Sequence, residues 1–141
     1  MKKNSYAPKK ADMKAEWHFI DATDQILGRV STKIAKLLMG KHKAIFTPNQ
    51  IVGDKVVVTN VDKIKVTGKK MKDKTYFHHT GFPKGLRSEN LESLLKRKPT
   101  EALIRSVKGM LPKNRLRNLM MKNFYAYLGD ENPHQAQQKK N

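Results

Sequence analysis

An α/β fold is what this 141-residue chain predicts. Three observations carry it. Two short apolar stretches, Trp17-His18-Phe19-Ile20 and Val56-Val57-Val58, have the length of strands. A long amphipathic segment lies between them, so strand and helix alternate early. The last third of the chain is helical in pattern and supplies elements to cover a sheet. The hydrophobic fraction is 38% and the charged fraction 30%, a composition that allows one small folded domain.

Element by element, residues 1–15 read as an extended basic arm, and its first fourteen residues hold five lysines and Pro8. The apolar run Trp17–Ile20 suits a buried strand. Asp21-Ala22-Thr23-Asp24 brings turn and cap chemistry ahead of a helix. In that helix Leu27, Val30, Ile34, Leu37 and Leu38 share one face. Gly40 follows as a C-terminal cap. Arg29, Lys33 and Lys36 fall on another face, and there is no acid from Arg29 to Gly53. Lys55 to Asn60 reads as a second strand, apolar without alternation at its centre, as a strand buried on both faces is. Ile64 to Val66 suits a short strand. Lys69, Lys70, Lys72 and Lys74 crowd a predicted loop around Asp73. Thr75 to His79 reads as another strand and Thr80 to Gly85 as a loop. Ser88 can cap a helix on Leu91, Leu94 and Leu95. Pro99 and Thr100 start another on Leu103, Ile104 and Val107. Lys113 to Lys122 reads as a further short helix on Leu116, Leu119 and Met120. The main domain is placed at residues 16–129, with a polar tail over 130–141.

Charge narrows the function. Thirty Lys and Arg face twelve Asp and Glu, a formal net charge of +18. Self-repulsion on this scale is relieved by a polyanionic partner. Nucleic acid is the first candidate and an anionic membrane surface the second. The longest apolar runs are about three residues, whereas a spanning helix needs about 20. The absence of cysteine excludes a disulfide framework and a thiolate zinc site. There is no HExxH spacing, and His78 and His79 are neighbours that a strand points to opposite faces. No metal or cofactor is therefore expected. Gly40-Lys41-His42 lacks the rest of a phosphate-binding loop.

The cations are dispersed over many segments, whereas a DNA reader concentrates contacts on one recognition element. Dispersed charge suits a folded RNA that touches many sides. Lysine and arginine contacts to phosphate give affinity, and Tyr76, Phe77, His78, His79 and Asn114 are the candidates for base stacking or edge contacts. Two other classes compete with RNA binding. A free-standing nucleoid protein calls for a dimerisation seam or recognition-helix pattern, and neither is visible. A small enzyme calls for convergent acids and bases, for which only Asp21, His42 and His79 are available.

Several stretches carry a resemblance to a known family. They are Trp17 with Asp21-Ala22-Thr23, Leu27-Gly28-Arg29, Gly40-Lys41-His42-Lys43 with Thr47-Pro48, and Gly53-Asp54 with Val56–Val58. They continue with Thr67-Gly68-Lys69, His78-His79-Thr80-Gly81 and, most specific of all, Val107-Lys108-Gly109-Met110-Leu111-Pro112-Lys113-Asn114. In this order and spacing the chain resembles the large ribosomal subunit protein thirteen family, bacterial type, over about Trp17 to Gln138. It departs from the family pattern at Arg117-Asn118, where Gly-Arg is usual, at Asn132, and at Ala15.

The resemblance implies a three-layer α/β/α arrangement around a small, mainly parallel sheet with extended basic termini. It implies a structural, non-enzymatic protein that binds large-subunit ribosomal RNA, joins early in assembly and touches neighbouring large-subunit proteins. A cytoplasmic ribosome is the implied location, with an organelle matrix as the alternative. No small-molecule substrate, membrane contact or homo-oligomer is expected. Charge and resemblance together nominate Arg29, Lys33, Lys36, Lys41, His42, Lys43, Lys69, Lys70, Tyr76, His78, His79, Lys84, Arg87, Arg105, Lys108, Lys113, Asn114, Arg115 and Arg117 as RNA contacts.

Overall fold

The structure, a computed structural model, describes residues 8–138. Residues 1–7 of the basic arm and 139–141 of the tail lie outside the described residues. In chain order the elements are β1 (Trp17–Asp21), α1 (Leu27–Met39), β2 (Lys55–Thr59), α2 (Lys70–Asp73), β3 (Thr75–His79), β4 (Leu86–Asn90), α3 (Leu91–Arg97), α4 (Pro99–Met110), α5 (Leu116–Met121) and β5 (Phe124–Ala126). Short 3-10 turns occupy Lys10–Asp12, Val61–Lys63 and Gln135–Gln137.

The main sheet has the order β1-β2-β5, and both pairings are parallel. Parallel neighbours need a crossover, and α1 supplies the first one. In register, Phe19, Val57 and Tyr125 align, as do His18, Val56 and Phe124. The central position of β2 explains its unbroken valines, because Val56, Val57 and Val58 are all fully buried and each strand face is covered. Side chains alternate, so Ile20, Val56, Val58 and Phe124 share one face. That face packs with Leu27, Val30, Ile34 and Leu38 of α1 and Leu103 and Val107 of α4 in a single cluster. Each such residue, fully buried, contributes roughly 1.5–3 kcal/mol. The other face, with Trp17 and Tyr125, carries an aromatic group: the two rings stack at 5.8 Å and His134 lies 4.5 Å from Tyr125.

The α/β class and the small, mainly parallel sheet thus match the expectation, while several boundaries differ. The segment Ile64–Val66 makes only one bridge, between Ile26 and Lys65. The Lys69–Lys74 loop contains one helical turn, α2. The Asp21–Asp24 segment does not cap α1, whose first turn has no side-chain cap. Instead the Asp21 carboxylate accepts from the Thr23 backbone and hydroxyl and from Asn60 Nδ2. Ser88 does not cap α3 either. It is paired with Phe77 inside an antiparallel β3–β4 hairpin, and Asn90, where that pairing ends, accepts from the Ser93 N–H at 3.0 Å. β5 was not anticipated, because three residues leave no periodicity to read.

One close approach fixes the end of α1. Gly40 takes a left-handed φ of 75° and closes the helix, a conformation that favours glycine. Opposite it, a Cβ on Gly53 would lie 1.8 Å from the Leu38 carbonyl oxygen. The α1 C-terminus therefore rests directly on the backbone that leads into β2. The Asp54 N–H donates to the Leu37 carbonyl at 3.1 Å across this contact.

Candidate nucleic-acid interface

The periodicity that buries one face of α1 turns Arg29, Lys33 and Lys36 outward, and all three are exposed. None meets a carboxylate among the described residues. Lys41 is exposed just past the helix, on the loop that Gly40 and Gly53 hold in place. The C-terminal end of α4 comes alongside, since the Thr32 hydroxyl of α1 lies 3.6 Å from Met110 Sδ. Lys108, Lys113 and Arg115 near that end are exposed and likewise unpaired among the described residues. α1 and α4 thus turn cations of two distant sequence segments to the surface around one packed pair of helices.

The first turn of α1 opens onto a groove of about 570 Å³ lined by Ile26, Gly28, Lys69, Lys70, Lys74 and Met110, among others. No side chain caps this N-terminus and no acid stands in its first turn, although the Leu27 N–H already donates to the Lys65 carbonyl at 2.9 Å. The positive end of the helix dipole and three lysines together are chemistry for a phosphate.

The hairpin sorts its residues by face. Tyr76, His78 and Arg87 line a pocket with Glu101 and Arg105 of α4. Lys74 Nζ lies 5.3 Å and the Arg105 guanidinium 5.1 Å from the Tyr76 ring centroid. Arg105 also pairs with Glu101. Phe77 and His79 lie on the other face, and Phe77 is 66% exposed. His79 Nδ1 accepts from the Gly81 N–H at 3.0 Å. Lys84 is exposed in the turn with a φ of 61°. Asn114 Oδ1 accepts from the Arg117 N–H at 3.1 Å, and Arg117 is half-buried with an Nε that has no partner.

Lys43 behaves unlike its neighbours. Its ammonium turns inward to the fully buried Asp54 carboxylate and also donates to the Lys14 and Val52 carbonyls at 2.7 and 3.2 Å. Asp54 further accepts from the Glu16 N–H at 2.9 Å. His18 Nε2 and His42 Nε2 lie 2.9 and 2.7 Å from its other oxygen. Burial alone pushes the Asp54 carboxyl upward, but the hydrogen bonds from Lys43, Glu16 and His18 outweigh it and hold the group below the usual carboxylate range. Asp21, His42 and His79, the trio an enzyme would need, bond to three different groups and do not converge.

Comparison with known proteins settles the family. Residues 15–133 match the model of ribosomal protein L13. The chain is 51% identical over 136 residues to large ribosomal subunit protein uL13 of Dechloromonas aromatica, covering 96% of each chain. It is also 51% identical to the uL13 protein of Maridesulfovibrio salexigens, again over 96% of each. With that of Geobacter sulfurreducens it shares 46% identity over 98% of this chain and 96% of the relative. The chain belongs to the ribosomal protein L13 family. That family is a structural, non-enzymatic class.

In this L13-family chain the sequence singles out the outward cations of α1 and α4, and it nominates His42 and Lys43 as RNA contacts without showing that both turn to Asp54. His18 and Asp54 read from sequence only as parts of a strand and a loop. Their signal was positional. His18 lies two residues before Ile20 on the core face of β1, and Asp54, two before Val56, continues the alternation of β2 one residue ahead of its start.

Proposed function

We propose that the chain binds folded large-subunit ribosomal RNA through dispersed phosphate contacts, as a structural part of the large subunit in the cytoplasmic ribosome. The observation that carries this is the row Arg29, Lys33 and Lys36, exposed on a helix whose opposite face is locked in the core. Unpaired cations on a helix held in the core can meet the phosphates of a folded RNA without first breaking ion pairs to acids of the same chain. Lys41, Lys69, Lys70, Lys108, Lys113 and Arg115 extend the surface. Phe77 and His79 supply the faces against which unstacked bases can lie. The family resemblance supports early joining during assembly and contact with neighbouring large-subunit proteins.

The test is incorporation. Replacing Arg29, Lys33 and Lys36 by alanine together leaves the melting transition in place and lowers co-sedimentation with large subunits. Retention at unchanged salt would remove this helix face from the interface.

A further inference from the structure

We propose that His18, His42 and Asp54 form a binding site for one zinc-class divalent cation. Three potential ligand atoms, one from each residue, lie within 4.8 Å of one another. They come from three separate segments: the start of β1, the loop after α1 and the residue leading into β2. Both imidazole Nε2 atoms approach the same carboxylate oxygen, Oδ2, at 2.9 and 2.7 Å. The two rings stand edge to face, 5.7 Å apart at 88°.

Imidazole and carboxylate are a donor set suited to zinc, and three protein ligands leave one position for water. A tetrahedral zinc about 2.0–2.2 Å from each donor sets donor atoms roughly 3.4 Å apart. The two Nε2–Oδ2 separations therefore need to widen by about half an ångström or slightly more. A ligating Nε2 must present its lone pair to the ion, with the ring proton on Nδ1, so zinc would replace the two Nε2–Oδ2 contacts.

The surroundings hold the carboxylate as a ligand. The Lys43 ammonium and the Glu16 N–H both occupy Oδ1, which leaves Oδ2 to face the two histidines and the ion. Asp54 is fully buried, while each histidine side chain is 31% exposed. The ion thus has a fixed anchor behind it and an entry path from solvent in front. Gly40 and Gly53 set the distance between the histidine loop and the strand. Bound zinc would clamp the loop that carries Lys41.

Full-length protein, free of RNA, is titrated with zinc chloride against a chromophoric zinc indicator at neutral pH. The expected result is one equivalent bound, with an affinity that falls by more than about tenfold in both H18Q and H42Q. Cobalt(II) added to the wild type then shows the visible absorption of a tetrahedral ion. Ring nitrogen resonances of the unmutated chain provide a readout that needs no variant. Zinc shifts two of the five histidines, and they assign to His18 and His42. Absence of stoichiometric binding would overturn the site. So would equal binding by cooperatively melting variants, or a shift of all five histidines alike. Because RNA is absent throughout, none of these outcomes bears on the ribosomal reading.

Discussion

β2 and β3 are both five-residue strands paired in continuous register, yet they live in opposite environments. β2 buries three consecutive valines between two parallel neighbours, with α1 and α4 closing one side. β3 buries none of its five residues, and its antiparallel partner β4 none either. Tyr76 alone in β3 reaches an apolar cluster, that of Leu91, Leu94 and Ala102. On the opposite side Phe77 and Leu86 are exposed by 66% and 62%, and Phe82 in the connecting loop by 74%. The difference teaches where folding energy resides. Crossover helices cover the parallel sheet, whereas the hairpin has only one face packed and depends on backbone pairing for the rest.

That contrast can be broken most forcefully in the main core. Leu38→Ala removes a fully buried side chain of α1 and is expected to cost about 2–5 kcal/mol, read as a lower urea midpoint. A loss below about 1 kcal/mol would show that the α1–sheet packing is loose.

Comparable in size is Asp54→Asn. It leaves the Lys43 ammonium, only 16% exposed, without its counter-ion. Removing one partner of a buried pair costs on the order of 3–5 kcal/mol. The pH dependence has a definite sign. The folded carboxyl titrates below its ordinary value of 3.8. Its stabilisation is therefore present above that value and is lost as pH falls through the lower, folded one. Acid unfolding curves of wild type and D54N should converge at low pH. Parallel curves would mean that Asp54 is not charged in the fold.

Phe77→Ser is the smallest effect. Its ring is largely in water already, so the free protein should change by less than about 0.5 kcal/mol in denaturant. A loss comparable with that of Leu38→Ala would erase the distinction between the two regions.

Sequence made the helices of the buried region legible because each shows a full apolar stripe. Leu27, Val30, Ile34 and Leu38 recur over several turns, and so do Leu103 and Val107 in α4. The valine run of β2 was readable for the same reason, since only a doubly covered strand omits polar alternation. What escaped notice depends on partners distant in sequence. β5 exists because β2 has a second edge to pair. Ser88 looks like a helix cap until the register with Phe77 takes it into a strand. The outward cations followed from helical phase alone, whereas the inward turn of Lys43 could not be read without the burial of Asp54. His18 and His42 meet only because α1 returns the chain to the beginning of the sheet.

The proposed RNA binding needs the small sheet and its two helices to hold unpaired cations outward. The most direct test is the salt dependence of binding to large-subunit ribosomal RNA. Roughly six to ten phosphate contacts predict a log–log slope of about −4 to −9. A slope near zero, or the same affinity for heparin and random duplex DNA, would contradict it.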